Sequence, residues 1–242
     1  MQGEFMLSKV IEYADDFLSL IYPRLCQACG NSLYLNEEIL CNRCLLQLPQ
    51  TGFHLNPKDN QVVRSFWGRV PVEGGAARYF FRKSAPVQRL LHNLKYGHAP
   101  EIGIFVGRIY GRELLESEVF RGVDVIIPIP LHPDKEKKRG YNQAAMFARG
   151  LAQSMHKPVD ETSLYRAVFT ETQTRKSRMK RWENVKSVFA LRGTSCLEGK
   201  HILLVDDVIT TGSTMEACIN LLLEVPGTRV SVAAIATAGR VV

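Results

Sequence analysis

Three short apolar runs, separated by amphipathic segments, constrain the fold of this chain more than any other feature. The runs are VDVIIPIP (123–130), ILLVDD (202–207) and RVSVAAIAT (229–237). Strands that are apolar along nearly their whole length are typical of parallel sheets whose two faces are both covered by helices. We therefore predict an α/β fold in which a parallel sheet is flanked by helices.

The helices that would cover this sheet are indicated by apolar residues at helical spacing. They are predicted at about 86–96, 101–116, 142–155 and 213–224, and Pro86 suits the first turn of a helix. Upstream, VPVEGGAARYFFRK is interpreted as two strands around Gly74 and Gly75. The main domain is expected to extend from residue 62 to residue 242.

Four of the six cysteines form two matched C-x-x-C pairs, with eleven residues between the pairs. Each pair can chelate a metal from a tight turn, and the segment between them is long enough for a hairpin. The pattern predicts a structural Zn²⁺ site of the zinc-ribbon type, closed and therefore not catalytic; redox thiols and disulfides are the alternatives. The four expected ligands are Cys26, Cys29, Cys41 and Cys44.

The remaining N-terminal sequence suggests one more helix. Residues 7–21 place apolar side chains at helical spacing, so we predict an amphipathic helix in residues 1–21 that packs against the body of the protein. A membrane-surface role is the alternative, but its polar face is largely acidic. The metal module and a Pro/Gly-rich linker then occupy residues 22–61.

The amino-acid composition indicates which class of partner the protein binds and in which cellular compartment it is found. The chain has 31 Lys and Arg residues against 24 Asp and Glu residues, a net charge of +7, which favours anionic partners such as phosphorylated small molecules or nucleic acid. No apolar stretch approaches the length of a membrane span, and we expect no signal peptide. Four cysteines are clustered and two, Cys196 and Cys218, stand alone, which suits a metal site in a reducing cytoplasm better than a disulfide framework.

The sequence VDDVITTGST (205–214), which begins at the end of the second apolar run, gives the clearest indication of a ligand-binding site. Asp206 and Asp207 would lie at the carboxyl end of a strand, where α/β sheets bind ligands. The next residues would offer backbone N–H groups at a helix N-terminus, which favours a phosphate. Two carboxylates would repel an anion unless they bound something else, and a ribose diol or a hydrated Mg²⁺ can bind to them. A sugar phosphate provides both a diol for the acids and a phosphate for the helix N-terminus. The phosphate-binding candidates are Val208, Thr210, Thr211, Gly212, Ser213 and Thr214.

An ordinary strand, turn and helix with a Ser/Thr cap is the alternative interpretation of this segment. A helix cap requires only one hydroxyl, so capping does not account for the other hydroxyl residues. Nor does it account for two adjacent acids at the end of an apolar strand.

Two basic segments are candidates for binding a polyphosphate. The first follows the strand at 123–130 and is expected to be a charged loop with Lys135, Lys137, Lys138 and Arg139. The second spans 170–189, where Arg178 and Arg181 could form a lid over a pyrophosphate. A solvated charged loop is the alternative for each.

The acid-hydroxyl motif resembles the phosphoribosyl-pyrophosphate (PRPP) signature of type I phosphoribosyltransferases. Together with FWGRVPV, LKYG, PIPLH, RGYNQ, TQTR and the cysteines, it is similar to the ComF family, which joins an N-terminal zinc module to a phosphoribosyltransferase domain. The resemblance implies that Asp206 and Asp207 hold the ribose 2- and 3-hydroxyls and that residues 210–214 bind the 5-phosphate.

Two functions follow from this resemblance. As an enzyme, the protein would displace pyrophosphate from PRPP with Mg²⁺ and an unidentified acceptor, and Asp206 and Asp207 would stabilise positive charge on the ribose. Some purine-salvage relatives carry an aspartate where this chain has Thr210, which argues against a 6-oxopurine acceptor. Alternatively, it is a silent PRPP-site protein that binds single-stranded DNA or a DNA-translocating ATPase, since ComF relatives are associated with DNA uptake.

Overall fold

The computed structural model describes residues 23–82, 85–167 and 188–238. The chain divides into two compact units between Leu48 and Pro49. The predicted N-terminal helix and the predicted lid, with Arg178 and Arg181, lie outside the described residues. Residues 49–61, which the sequence interpretation assigned to the linker, belong to the second unit.

The first unit is built around turns. Gly30 adopts φ +84° and donates its N–H to the carbonyl of Cys26 at 2.8 Å, which closes the first cysteine turn. In the second pair, Cys41 directly precedes helix α1 (Asn42–Gln47) and Cys44 lies within it.

Between the pairs the chain forms turns instead of the predicted hairpin, and one isolated antiparallel bridge, from Leu25 to Ser32, spans the first pair. The buried carboxylate of Glu37 holds these turns, because it accepts the N–H groups of Tyr34 (2.8 Å) and Asn42 (2.7 Å).

The second unit contains the predicted parallel sheet. Its strands in chain order are β1 (Gly74–Phe80), β2 (Val125–Pro128), β3 (Leu164–Arg166), β4 (Phe189–Leu191), β5 (His201–Ile209) and β6 (Arg229–Thr237). Four of them form a sheet in the order β1-β6-β5-β2, and every pair in it is parallel. Strands β3 and β4 form a separate antiparallel pair. The carboxyl ends of all four sheet strands therefore meet at one edge.

Helices surround this sheet much as their apolar spacing predicts. Those of the second unit are α2 (Gln61–Arg64), α3 (Pro86–Tyr96), α4 (Glu101–Leu114), α5 (Glu118–Arg121), α6 (Pro133–Arg139), α7 (Gln143–Met155) and α8 (Ser213–Leu223). Helix α7 packs against β2, β5 and α4, while α8 packs against β4, β5 and β6. The helices predicted at 86–96, 101–116, 142–155 and 213–224 are confirmed to within two residues at each end.

The two glycines at 74 and 75 do not separate two strands, as predicted, but begin the single strand β1. They pair in parallel register with Ser231 and Val232 of β6. A methyl group on Gly75 would lie 2.9 Å from Cγ1 of Val62 and 3.1 Å from Cγ2 of Val232. Glycine is needed here for close packing of α2 and β6 against the strand, and not for a turn.

The segment before β1 is fastened to that strand by hydrogen bonds. Asn60 is buried and donates to the carbonyl of Gly75 at 2.7 Å, and its side-chain oxygen caps α2 by accepting the N–H of Val62 at 2.9 Å. The N–H of Phe80 donates to the carbonyl of Pro49 at 2.8 Å. These bonds place residues 49–61 along the edge of the sheet.

The first predicted charged loop is largely a helix, α6. Pro133 stands in its first turn, and His132 accepts the N–H of Asp134 at 3.2 Å through Nδ1. Gly140 ends the helix with φ +85°. Acids occupy the first turn and Lys137, Lys138 and Arg139 the last, an order that the helix dipole favours.

Candidate functional site

The two acids of the motif lie at the carboxyl edge of the sheet and face a cavity of about 200 Å³. Strand β5 supplies Asp206 and Asp207, and the first turn of α8 supplies Thr214. Lys135 and Arg139 of α6 line the same cavity. The structure therefore brings together five residues that the sequence placed in different segments. Lys137 and Lys138 are on the same helix but do not line this cavity.

Two further cations line the cavity that sequence reasoning did not assign to the site. The ammonium nitrogen of Lys95, on α3, lies 3.0 Å from Oδ2 of Asp207. Arg166 ends β3, and its guanidinium stacks 5.3 Å from the ring centroid of Phe189. Within the described part of the chain, Nε of Arg166 is buried and has no hydrogen-bond partner. Four cations and two acids thus surround the cavity, a charge balance that suits a polyphosphate.

The two adjacent acids differ in their surroundings. Burial raises the pKa of Asp206 to about 8, and the neighbouring charge of Asp207 raises it as well. The N–H of Asp207, 2.8 Å from Oδ1 of Asp206, and the ammonium of Lys95 oppose this rise. Burial thus makes Asp206 the harder of the two acids to ionise, while the carboxylate of Asp207 is paired with Lys95.

The turn after β5 is held in a shape that only glycine adopts easily at its centre. Gly212 has φ +75°, and a methyl group there would lie 3.0 Å from the Phe66 ring. Around it, the hydroxyl oxygens of Thr211 and Ser213 lie 3.0 Å apart. The predicted hydroxyl residues Thr210, Thr211, Ser213 and Thr214 are all exposed, so their hydroxyls and the start of α8 are open to a ligand.

Arg69 holds this turn from outside. Its guanidinium donates to the carbonyl of Thr211 at 2.9 Å, reaches the hydroxyl of Ser213 at 3.5 Å, and pairs with Glu216. Phe66 and Arg69 both belong to the FWGRVPV segment. The segment therefore buttresses the turn, a role that the sequence alone did not indicate.

The RGYNQ segment is anchored on two sides of the cavity. Asn142 donates to the carbonyl of Ile129 at 2.9 Å and caps α7 by accepting the N–H of Ala144 at 3.0 Å. The hydroxyl of Tyr141 donates to the carbonyl of Leu94 at 2.6 Å. These bonds fix α6 and its cations between β2 and α3.

A second cavity, of about 330 Å³, adjoins the first. Val208 and Thr210 line it together with Asp207 and Lys95, which are common to both cavities. The predicted motif residues are thus divided: Asp206 and Thr214 face the first cavity, and Val208 and Thr210 face the second.

In the first unit, the four cysteines of the two pairs converge. Their sulfur atoms all lie within 4.8 Å of one another, and Sγ of Cys29 is 3.7 Å from Sγ of Cys41. A tetrahedral ion with Zn–S bonds of about 2.3 Å places its sulfur ligands about 3.8 Å apart. The cluster therefore fits a four-coordinate thiolate site.

The electrostatics of the cluster also favour a bound cation. Burial opposes ionisation of Cys26, yet the backbone N–H groups of Cys29, Cys41 and Ala28 outweigh it and lower the pKa of Cys26 to about 6. Burial, with the neighbouring thiols and the charge of Cys26, raises the pKa of Cys44. Four sulfurs so close together can all ionise when a cation compensates their charge.

Among the residues that the structure describes, no helix combines the length and the apolar character that crossing a membrane requires.

Sequence comparisons relate this chain to proteins with a phosphoribosyl transferase domain and to proteins named for competence and DNA utilization. The model of the phosphoribosyl transferase domain matches residues 141–240. DNA utilization protein YhgH of Escherichia coli O157:H7 is 30% identical over 209 residues, which cover 85% of this chain and 87% of that protein. Competence protein F of Haemophilus influenzae is 28% identical over 81% of this chain and 77% of its own length. Competence protein ComFC of Bacillus subtilis is 34% identical over 100 residues, 41% of this chain and 38% of that protein. These similarities, which span most of the sequence and include the phosphoribosyl transferase domain, show that the chain belongs to the ComF family.

Proposed function

We propose that this protein binds PRPP at the carboxyl edge of its sheet and displaces pyrophosphate from it. The observation that carries the proposal is the cavity in which Asp206 and Asp207 face Lys135, Arg139 and Thr214. The acids would hold the ribose hydroxyls. The turn at residues 210–214, with its exposed hydroxyls and helix N-terminus, would bind the 5-phosphate.

The surroundings of the cavity suit the charges that develop in such a displacement. As the bond from the anomeric carbon to pyrophosphate breaks, its electron pair leaves with the pyrophosphate and positive charge forms on the ribose. Lys135, Arg139 and Arg166 would neutralise the leaving group, and the carboxylate of Asp207 would stabilise the ribose cation. Mg²⁺ bound with PRPP would supply further neutralisation of the pyrophosphate.

The metal centre has a separate role in this proposal. Cys26, Cys29, Cys41 and Cys44 would hold one Zn²⁺ with all four positions filled by protein, so the ion would stabilise the first unit and take no part in chemistry. Such a thiolate site, with reduced cysteines, fits a cytoplasmic protein.

Ligand-induced stabilisation tests the proposal. PRPP with Mg²⁺ is expected to raise the Tm of the purified protein, because a ligand that binds only the folded state stabilises it. Asp206→Asn combined with Asp207→Asn should abolish the increase, whereas Glu198→Gln, at an exposed acid away from the cavity, should retain it. A wild-type protein whose Tm does not change at millimolar PRPP would contradict the proposal.

A catalytically silent PRPP-site protein is the second candidate. Relatives named for competence and DNA utilization favour it. Such a protein would bind DNA or a DNA-handling ATPase, with Arg178 and Arg181 as candidate phosphate contacts. Release of pyrophosphate from PRPP in the presence of a nucleobase panel separates the two candidates. Binding of PRPP without release would favour the silent protein.

A further inference from the structure

A third cavity, which we call the Trp67 cavity, shares no lining residue with the two cavities at the carboxyl edge of the sheet. Its volume is about 460 Å³. Val63 and Val70 are buried and form an apolar floor, whereas Trp67 is 60% exposed. An aromatic ring beside a concave apolar surface is typical of small-molecule sites. The proposed function makes no use of this cavity.

The charges around the Trp67 ring indicate the kind of ligand. The guanidinium of Arg64 lies 5.6 Å from the centroid of the ring, and Asp59 holds that guanidinium at 2.8 Å. The charged residues that line the cavity are two cations, Lys58 and Arg69. A flat ring can stack on the exposed indole, and two cations attract an anion. A molecule that joins a planar base to phosphate groups satisfies both conditions.

The size of the cavity favours one nucleotide over a nucleic acid strand. Its volume lies within the range of small-molecule sites, about 300–1,000 Å³. A strand needs a groove with cations along its length, whereas two lining cations match the charge of a single diphosphate. We therefore favour a free nucleoside diphosphate.

Arg69 connects the Trp67 cavity with the turn proposed to bind the 5-phosphate of PRPP. Its guanidinium donates to the carbonyl of Thr211 at 2.9 Å and pairs with Glu216 of α8. A phosphate group in the Trp67 cavity would compete with these acceptors for the same guanidinium. Because the guanidinium holds the turn in shape, a ligand that attracts it weakens binding at the turn. By reciprocity, a ligand at the turn weakens binding in the Trp67 cavity by the same factor.

We propose that the Trp67 cavity binds a free nucleoside diphosphate, whose base stacks on Trp67 and whose phosphates pair with Lys58 and Arg69. The bound nucleotide inhibits PRPP binding through the contacts of Arg69 with the turn. The inhibition rests on the proposed function, whereas the nucleotide site does not.

The fluorescence of Trp67 tests the nucleotide site. The chain has two tryptophans, so Trp182→Phe in the full-length protein leaves Trp67 as the single reporter. ADP, GDP and UDP are titrated beside adenosine, which lacks phosphates, and pyrophosphate, which lacks a ring. We expect at least one diphosphate nucleotide to quench Trp67, and adenosine and pyrophosphate to bind about tenfold more weakly, because each loses one set of contacts. Absence of quenching by all three nucleotides would overturn the site.

Two lysine variants in the same background locate the binding. Lys58→Ala removes a cation of the cavity and should weaken nucleotide binding about fivefold, the effect of one exposed charge. Lys200→Ala, at an exposed lysine that does not line the cavity, should leave it unchanged. Equal affinities in the two variants would overturn the site. A single-stranded oligonucleotide that quenches Trp67 with an affinity more than about tenfold higher than any free nucleotide would assign the cavity to nucleic acid and also overturn it.

Calorimetric titrations of PRPP with Mg²⁺ at increasing concentrations of the quenching nucleotide test the inhibition. The apparent Kd for PRPP should rise and level off at about tenfold, the factor expected when the contacts of Arg69 with the turn are lost. An unchanged Kd would show that Arg69 does not couple the sites. A Kd that rises in proportion to the nucleotide, without a limit, would show competition inside the PRPP cavity. Either result overturns the inhibition.

Failure of this inference is distinguishable from failure of the proposed function. If PRPP does not bind, the proposed function and the inhibition fail together, while quenching of Trp67 still decides the nucleotide site. If PRPP binds and no nucleotide quenches Trp67, the inference fails and the proposed function stands.

Discussion

Arg69 donates a hydrogen bond from Nη1 to the carbonyl oxygen of Thr211 at 2.9 Å, although the two residues are 142 positions apart. The same nitrogen also donates to the carbonyl of Ser65 at 2.9 Å, so one guanidinium joins the end of α2 to the turn after β5. This contact sets the shape of the turn in the free protein. Such preorganisation reduces the entropy lost when a ligand binds.

Removing this guanidinium should weaken binding of PRPP without removing any group that would contact it. We expect Arg69→Ala to raise the apparent Kd for PRPP about tenfold, corresponding to about 1.4 kcal/mol, the scale of one or two lost hydrogen bonds. Arg64→Ala is the matched control, because Arg64 is exposed on the neighbouring helix and pairs with Asp59. The apparent Kd is obtained from the change in Tm as PRPP is added. If Arg69→Ala and Arg64→Ala give the same Kd, Arg69 has no positioning role.

Gly212 should tolerate a methyl group less well than Gly193, a glycine with positive φ and open space around it. Gly193 also has positive φ (+61°), but a methyl group there meets nothing within 4 Å, so Gly193→Ala measures the backbone cost alone, about 1 kcal/mol. Gly212→Ala adds a contact of 3.0 Å with the Phe66 ring, and we expect a further loss of about 1–3 kcal/mol. Urea unfolding of both variants measures the difference.

A second substitution shows whether the ring causes that difference. In the Phe66→Leu background, the additional cost of Gly212→Ala should fall, because the smaller side chain leaves room for the methyl group. A cost that is the same in both backgrounds would assign the strain to the backbone of the turn instead.

The sequence predicted those parts of the site that lie on a single apolar run and the turn after it. The run at 202–207 had to be a buried strand, so Asp206 and Asp207 had to lie at its carboxyl end. The two glycines at 74 and 75 were misinterpreted, because close packing and turns both require glycine and local sequence does not distinguish them. The packing that decides between them comes from Val62 of α2 and Val232 of β6, which lie outside the local sequence of the glycines.

The cations that sequence reasoning missed were missed for the same physical reason. Lys95 reaches the site from a helix far from the motif in sequence, and Arg166 reaches it from a strand of three residues. Lys95 belongs to the LKYG segment that carries the family resemblance, but nothing in the local sequence of either residue indicates a role in the site. In contrast, Lys135 and Arg139 come from the segment after β2. Because β2 and β5 are parallel neighbours, their carboxyl ends lie at the same edge, and the sequence could place these two cations near Asp206 and Asp207.

Metal content should depend on the four clustered cysteines and not on the others. We expect about one Zn²⁺ per chain by elemental analysis, and loss of the metal in Cys26→Ser, because three thiolates leave a tetrahedral site incomplete. Cys196→Ser is the control, since Cys196 is exposed and outside the cluster. Limited proteolysis should cut the first unit faster in Cys26→Ser. A stoichiometric zinc content in that variant would contradict the assignment.

The stability of the free protein should fall as the pH rises towards 8, and Asp206 should cause part of that fall. Burial, and then the charge of Asp207, raise the pKa of Asp206 from an unfolded value of about 4 to about 8. Between these values the folded protein holds a proton that the unfolded chain has lost. The stabilisation from this group is therefore fully present below about pH 4 and is lost as the pH approaches 8.

Asp206→Asn removes this titration while it keeps the size of the side chain. The variant should show a flatter dependence of unfolding free energy on pH between 5 and 8, and its stability relative to wild type should increase across that range. Asp134→Asn, at a side chain that is 91% exposed, should keep the wild-type slope. Urea unfolding at four pH values provides the slopes. Parallel curves for wild type and Asp206→Asn would contradict the raised pKa of Asp206, because they would mean that its carboxyl ionises as easily in the folded protein as in the unfolded chain.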